Sequence, residues 1–121
     1  MIIEGISTER VHVTRDAQGL PSMRFDETVL PELGACFIHD IETQSDVKVL
    51  NDGLDAMGRG HAQSFNLSGN CYSVTMWPDC VTIENEVDTD AAVIQMSHTQ
   101  YQVILNVWAA FLAKAEGWNK G

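Results

Sequence analysis

Lysine and arginine are scarce in this chain, 7 against 17 aspartates and glutamates, which gives a formal charge of -10 and a pI near 4.5. Proteins that hold nucleic acid or lie on anionic membranes need a basic patch, and so few cations argue against both classes. Long apolar runs are also missing, with none near the roughly 18 residues of a membrane span. The opening MIIEGISTER carries an acid at Glu4 and no basic stretch, so it does not read as a secretory signal. The three cysteines, Cys36, Cys71 and Cys80, are an odd number without CxxC spacing. Free thiols in a reducing compartment follow, and with them a cytoplasmic location.

Catalytic signatures are absent as well. His12, His39, His61 and His98 stand in no HxH or HExxH arrangement, so zinc is not expected. No GxSxG, Walker or GxGxxG motif occurs. His39-Asp40 is a general-base pair in principle, but a lone histidine beside a strand is more often structural. Cys71 would serve as a nucleophile only beside a histidine and an orienting partner. Ser68-Gly69-Asn70 reads as a turn, since no basic residue accompanies it as a phosphate loop would require. The expectation is a protein that is not an enzyme and has no cofactor.

What is present is ordinary globular composition, 45% hydrophobic and 20% charged in 121 residues. That is enough for one domain, residues 1–121, with a real core. No repeat or linker interrupts it. Arg10-Val11-His12-Val13-Thr14 alternates with period two, Asp16 to Gly19 supplies turn chemistry, and Ser22 to Asp26 returns with Met23 and Phe25 inward. Pro31 to Gly34 reads as a break. Ala35 to Ile41, apolar almost throughout, reads as a buried strand. A helix should follow, capped by Ser45, with Val47, Leu50, Leu54 and Met57 on one side and an end at Gly58 to Gly60.

The stretch GNCYSVTMWPDCVTIENEV predicts a β-hairpin. Pro78 fits position i+1 of a type I turn and cannot take a positive φ, so the loop should span Trp77 to Cys80. That loop pairs Met76 with Val81, Val74 with Ile83 and Tyr72 with Asn85 on a buried face. Thr75 then meets Thr82, Ser73 meets Glu84 and Cys71 meets Glu86 on the other. A single register sorting both strands argues for the hairpin. Ser97 should cap a C-terminal helix whose stripe is Tyr101, Ile104, Leu105, Trp108, Phe111 and Leu112, with Gly117 as its stop. The fold class is therefore α+β: an antiparallel sheet of about five or six strands, a mid-chain helix, and a C-terminal helix packed on one face.

The remaining signal is charge distribution. No Lys or Arg lies between Arg59 and Lys114, while Asp79, Glu84, Glu86, Asp88 and Asp90 all fall in that interval. One account is a solubilising surface. The other is a patch that steers a basic partner into place.

The NDGLDAM helix, the GNCYSVTM…VTIENEV hairpin and the closing QYQVILNVWAAFLAKA helix together resemble small bacterial immunity proteins. The likeness is to those of contact-dependent growth inhibition and related polymorphic toxin systems (CdiI-like). The hairpin and last helix also resemble the YacL-like family. The first resemblance implies a cytoplasmic protein, a monomer or weak homodimer, that neutralises the C-terminal domain of a cognate toxin. Such a toxin is often a basic nuclease, and its inhibitor needs no chemistry of its own. Trp77, Asp79, Glu84, Glu86, Asp88 and Asp90 are the partner-binding candidates. The second resemblance implies instead a small acidic adaptor or housekeeping protein of unknown partner. A third reading, a small-molecule enzyme or binding module using His39, Asp40 and Cys71, ranks last.

Overall fold

In the computed structural model, residues 2–26, 31–60 and 63–120 are described; His61 lies outside them. The strands are β1 (Ile2–Ile3), β2 (Val11–Arg15), β3 (Pro21–Phe25), β4 (Phe65–Ser68), β5 (Tyr72–Met76), β6 (Val81–Asn85) and β7 (Ile94–Met96). The helices are α1 (Pro31–Asp40), α2 (Gln44–Gly58) and α3 (His98–Lys120), with a short 3-10 turn at Thr8–Arg10. The fold is α+β. Five strands form one sheet in the order β1-β7-β6-β5-β4, and β2 with β3 form a separate hairpin. The main sheet is antiparallel except at β1, which runs parallel to β7.

The central hairpin takes the register that the alternation predicts. Met76 faces Val81, Val74 faces Ile83, Tyr72 faces Asn85, Thr75 faces Thr82 and Ser73 faces Glu84. The amide of Trp77 donates to the Cys80 carbonyl at 2.8 Å, closing the four-residue loop, and the amide of Glu86 donates to the Cys71 carbonyl at 2.8 Å. Cys71 and Cys80 thus sit at opposite ends of the hairpin, and both are free thiols.

The inner face of the sheet carries Tyr72, Val74, Met76, Val81, Ile83, Ile94 and Met96 into one core with Tyr101, Ile104, Leu105, Trp108 and Leu112 of α3. α2 adds Val47, Leu50, Leu54 and Met57 to it. Trp108 is buried, and its indole N–H donates to the Ile41 carbonyl at 2.8 Å. Buried Gln100 holds both backbone groups of Ile6, accepting from its N–H at 2.9 Å and donating to its C=O at 2.8 Å. Those two bonds fasten α3 to the segment following β1 and satisfy polar groups that would otherwise be costly to bury.

Three local expectations are corrected. The run read as a break and then a strand, Pro31 to Ile41, is α1 and its end. Leu33, Cys36, Phe37 and Ile41 are buried at intervals of three and four, a helical stripe hidden in a nearly continuous apolar run. Proline fits a first helical turn, where its missing N–H is not needed. The cap of α2 is Thr43 rather than Ser45. The Thr43 hydroxyl accepts from the Asp46 amide at 3.2 Å while the Asp46 carboxylate accepts from the Thr43 amide, a reciprocal box. α3 continues through Gly117 to Lys120. One glycine costs a helix only about 1 kcal/mol, which does not force a stop. Its cap is as expected, with the Gln100 amide donating to the Ser97 hydroxyl at 3.0 Å.

Candidate functional site

With the helices on the inner face, the outer face of the main sheet is left uncovered by them, and period-two alternation decides what it displays. One register row crosses all five strands: Asn66 beside Thr75, Thr75 beside Thr82, Thr82 beside Gln95, and Gln95 beside Ile2. A second row places Ser68 beside Ser73 and Ser73 beside Glu84. These side chains bond to one another across the strands. The Asn66 amide donates to the Ser73 and Thr75 hydroxyls, both at 2.8 Å. The Trp77 indole N–H donates to the Thr82 hydroxyl at 3.0 Å, which holds the ring on this face while leaving it 42% exposed.

The six candidate residues do not form one cluster. Trp77 and Asp79 lie at the turn joining β5 to β6. Glu84 stands on the outer face near the far end of β6, and Glu86, Asp88 and Asp90 follow in the loop beyond it. A five-residue strand separates the two groups by about 17 Å. The loop is pinned internally: the Asn85 side-chain oxygen accepts from the amides of Val87 and Asp88 at 2.9 and 2.8 Å, and Asp88 accepts from the Asp90 amide at 3.2 Å. Beside Asp79, partial burial raises the Cys80 thiol above its ordinary value, and the Asp79 charge and hydrogen bond push the same way.

Charge is segregated by element. All seven Lys and Arg residues lie outside residues 2–5 and 65–97, the segments that build the main sheet and its loops. The same segments hold six acids, Glu4, Asp79, Glu84, Glu86, Asp88 and Asp90. Ion pairs among the described residues, such as Lys48–Asp52 at 2.9 Å and Arg59–Asp55 at 3.2 Å, lie on α2 or the N-terminal hairpin. Glu4 and Asp79 also line a cleft of about 380 Å³ at the edge of the sheet, whose other walls include Ile2, Gln95, Met96 and Val103.

The Asp40 carboxylate, a candidate base by sequence, has a structural task. It accepts the amides of Asn70, Cys71 and Tyr72 at 2.9, 3.1 and 2.7 Å, tying the end of α1 to the start of the hairpin. A Cβ at Gly69 would overlap that carboxylate, so the close approach requires glycine. His39 meets this turn through its backbone carbonyl, which accepts a 3.4 Å bond from the Asn70 side chain. Among the described residues no three His, Cys, Asp or Glu side chains gather as a metal ion would need, and no helix is long and apolar enough to cross a membrane.

Sequence reasoning placed Thr75, Thr82 and Glu84 on the outer face but missed Ile2, Asn66 and Gln95. Phe65-Asn66-Leu67-Ser68 and Ile94-Gln95-Met96 both alternate with period two, and that signal would have located β4 and β7. Comparison with protein-family models, with curated proteins and with solved structures gives no match for this chain.

Proposed function

We propose that this chain is an immunity-type inhibitor. It binds a cognate toxin domain, a basic nuclease, and covers the toxin's active site or substrate surface with its acidic half. The observation that carries the reading is the segregation of charge, six acids and no Lys or Arg on the sheet and its loops. A nuclease presents a basic surface because it must hold phosphates. An inhibitor that offers carboxylates to the same surface gains association rate by long-range attraction and competes directly with substrate. No catalytic group is required, which agrees with the use of Asp40 as a structural tie. Such a protein works in the cytoplasm of the toxin-producing cell, as a monomer or weak homodimer.

The test is rescue in bacteria. The C-terminal domain encoded immediately upstream is expressed with and without this chain, and growth arrest relieved only by co-expression is the expected result. Reversing Glu84, Glu86 and Asp88 together should slow association and weaken protection while the circular dichroism spectrum stays unchanged. A harmless upstream domain, or equal killing with and without this chain, refutes the reading.

A further inference from the structure

We infer that the centre of the interaction surface is the outer face of the five-stranded sheet, and that its occupant is a protein presenting a flat cationic surface. The acidic loop and the helical layer are peripheral to it. The inference rests on the inhibitor reading for the identity of the partner, and on the geometry of the sheet for the location.

Four observations converge on this face. It is the side of the sheet that the helices leave uncovered, since the inward residues of β5, β6 and β7, with Ile3 of β1, enter the core and Phe65 and Leu67 of β4 pack against it. It carries exposed apolar side chains among polar ones. Ile2 is 67% exposed and Trp77 42%. Buried anchors surrounded by small polar contacts are the usual anatomy of a protein interface. The row Asn66, Thr75, Thr82, Gln95 is short, level and partly pre-bonded, so ordering it on contact costs little side-chain entropy. Finally, the charge selects the occupant. A second copy of the chain would add Glu84 and the acids flanking this face to another set of the same sign, with no Lys or Arg on either sheet, whereas a cationic surface is complementary to Glu84 on the face and to Asp79 and Glu86 beyond its two ends.

Strands of two to five residues, at about 4.8 Å spacing and 3.3 Å per residue, give a face of about 300 Å². That is a little over a third of the area one partner contributes to a standard interface, near 800 Å². The cleft lined by Glu4 and Asp79 adjoins this face through Ile2 and Gln95 and extends it. Its apolar wall and carboxylate rim suit the stem and head of an inserted lysine or arginine.

The probe is a poly-arginine peptide, titrated into the ¹⁵N-labelled chain at low salt. The expected result is that the largest amide shifts fall on Asn66, Thr75, Thr82, Glu84 and Gln95, together with the Trp77 indole N–H. Largest shifts confined to residues 86–90 or to the acids of α2 overturn the inference, as does a shift-free titration. Three charge-matched variants sharpen it. Glu84→Lys should weaken peptide binding roughly tenfold, while Asp52→Lys and Asp88→Lys, each the same change in net charge, should weaken it about twofold or less. Equal loss in all three means that net charge alone binds the peptide and refutes a centre on the sheet. In the rescue assay, protection lost with Glu84→Lys and Trp77→Ala but kept with Asp52→Lys is expected. Protection kept by all three variants overturns the location and leaves the inhibitor reading standing. No rescue by the unaltered chain removes that reading, and the peptide map then decides the location alone.

Discussion

Asp40→Ala should be far more damaging than an exposed helix-end substitution. The Asp40 carboxylate takes three backbone amides, and the shortest bond, 2.7 Å, comes from Tyr72, which is itself buried. Hydrogen bonds to a charged group are worth about 1.5–3 kcal/mol each when a partner is removed. Water can replace the carboxylate at exposed Asn70 and in part at half-buried Cys71, but poorly at Tyr72. The net loss should be about 3 kcal/mol, a substantial share of the ~5–15 kcal/mol that holds a domain of this size together. A chain of this length should then melt about 12 °C lower. Asp40→Asn keeps one neutral oxygen for two of the amides but turns an NH₂ toward the third, and should lose about 2 kcal/mol. Urea unfolding followed by circular dichroism, with calorimetry for the melting point, measures both.

Gly69→Ala provides the cross-check, because a Cβ there must push the turn away from Asp40. The two changes break the same contact, so the double variant should cost less than the sum of the singles by at least ~1 kcal/mol. Strict additivity, or a loss below ~1 kcal/mol for Asp40→Ala, would show that the tie is incidental to stability.

Two further outcomes follow from the core and the N-terminal hairpin. Trp108→Ala removes a buried ring stacked on Phe111 at 5.3 Å and leaves the Ile41 carbonyl without its donor, so urea unfolding should register a loss of about 4 kcal/mol. The His12 hydrogen bond at 3.1 Å, with help from the Arg24 and Arg10 charges, holds the Asp26 carboxyl below its ordinary 3.8. A carboxyl lowered on folding adds stability above its unfolded value, and that contribution is lost as pH falls through the folded one. Asp26→Asn should therefore lower the urea midpoint at about pH 5 and leave it unchanged near pH 2; an equal difference at both would refute the pairing.

The central hairpin was legible because two independent signals agree there. Proline fixes the loop, and the loop fixes a register that sorts apolar from polar side chains on both strands. α1 was not legible, because Ala35 to Ile41 offers apolar residues at nearly every position and so satisfies period 2 and period 3.6 alike. Only the tertiary contact decides it. Gly34 packs so tightly on β3 that a Cβ would lie 3.0 Å from the Met23 carbonyl oxygen. The Asp40 tie spans thirty residues and rests on backbone amides, which no side-chain pattern announces. β1 is two residues long and joins the sheet in parallel from the far end of the chain, so its pairing has no local signature. For the same reason Ile2 and Gln95 escaped notice as neighbours on the outer face, while Thr75 and Thr82, fixed by the hairpin, did not.

The acids of the sheet half pose a physical problem that the candidate function answers. Glu84, Glu86, Asp88 and Asp90 lie within seven residues and are far in sequence from any Lys or Arg, so each raises the self-repulsion of the compact state. Solubility alone does not call for this arrangement, since a chain at -10 has charge to spare and interspersed signs would repel less. The helical half shows the alternative: Asp52 and Asp55 are each matched by a cation one turn away. Alternation along β5 and β6 keeps the two demands apart, with Val74, Met76, Val81 and Ile83 securing the core and Thr75, Thr82 and Glu84 facing out. A cationic partner on that outer face would relieve the repulsion that the free chain carries. Part of the binding energy would then come from removing strain already present, without additional contacts.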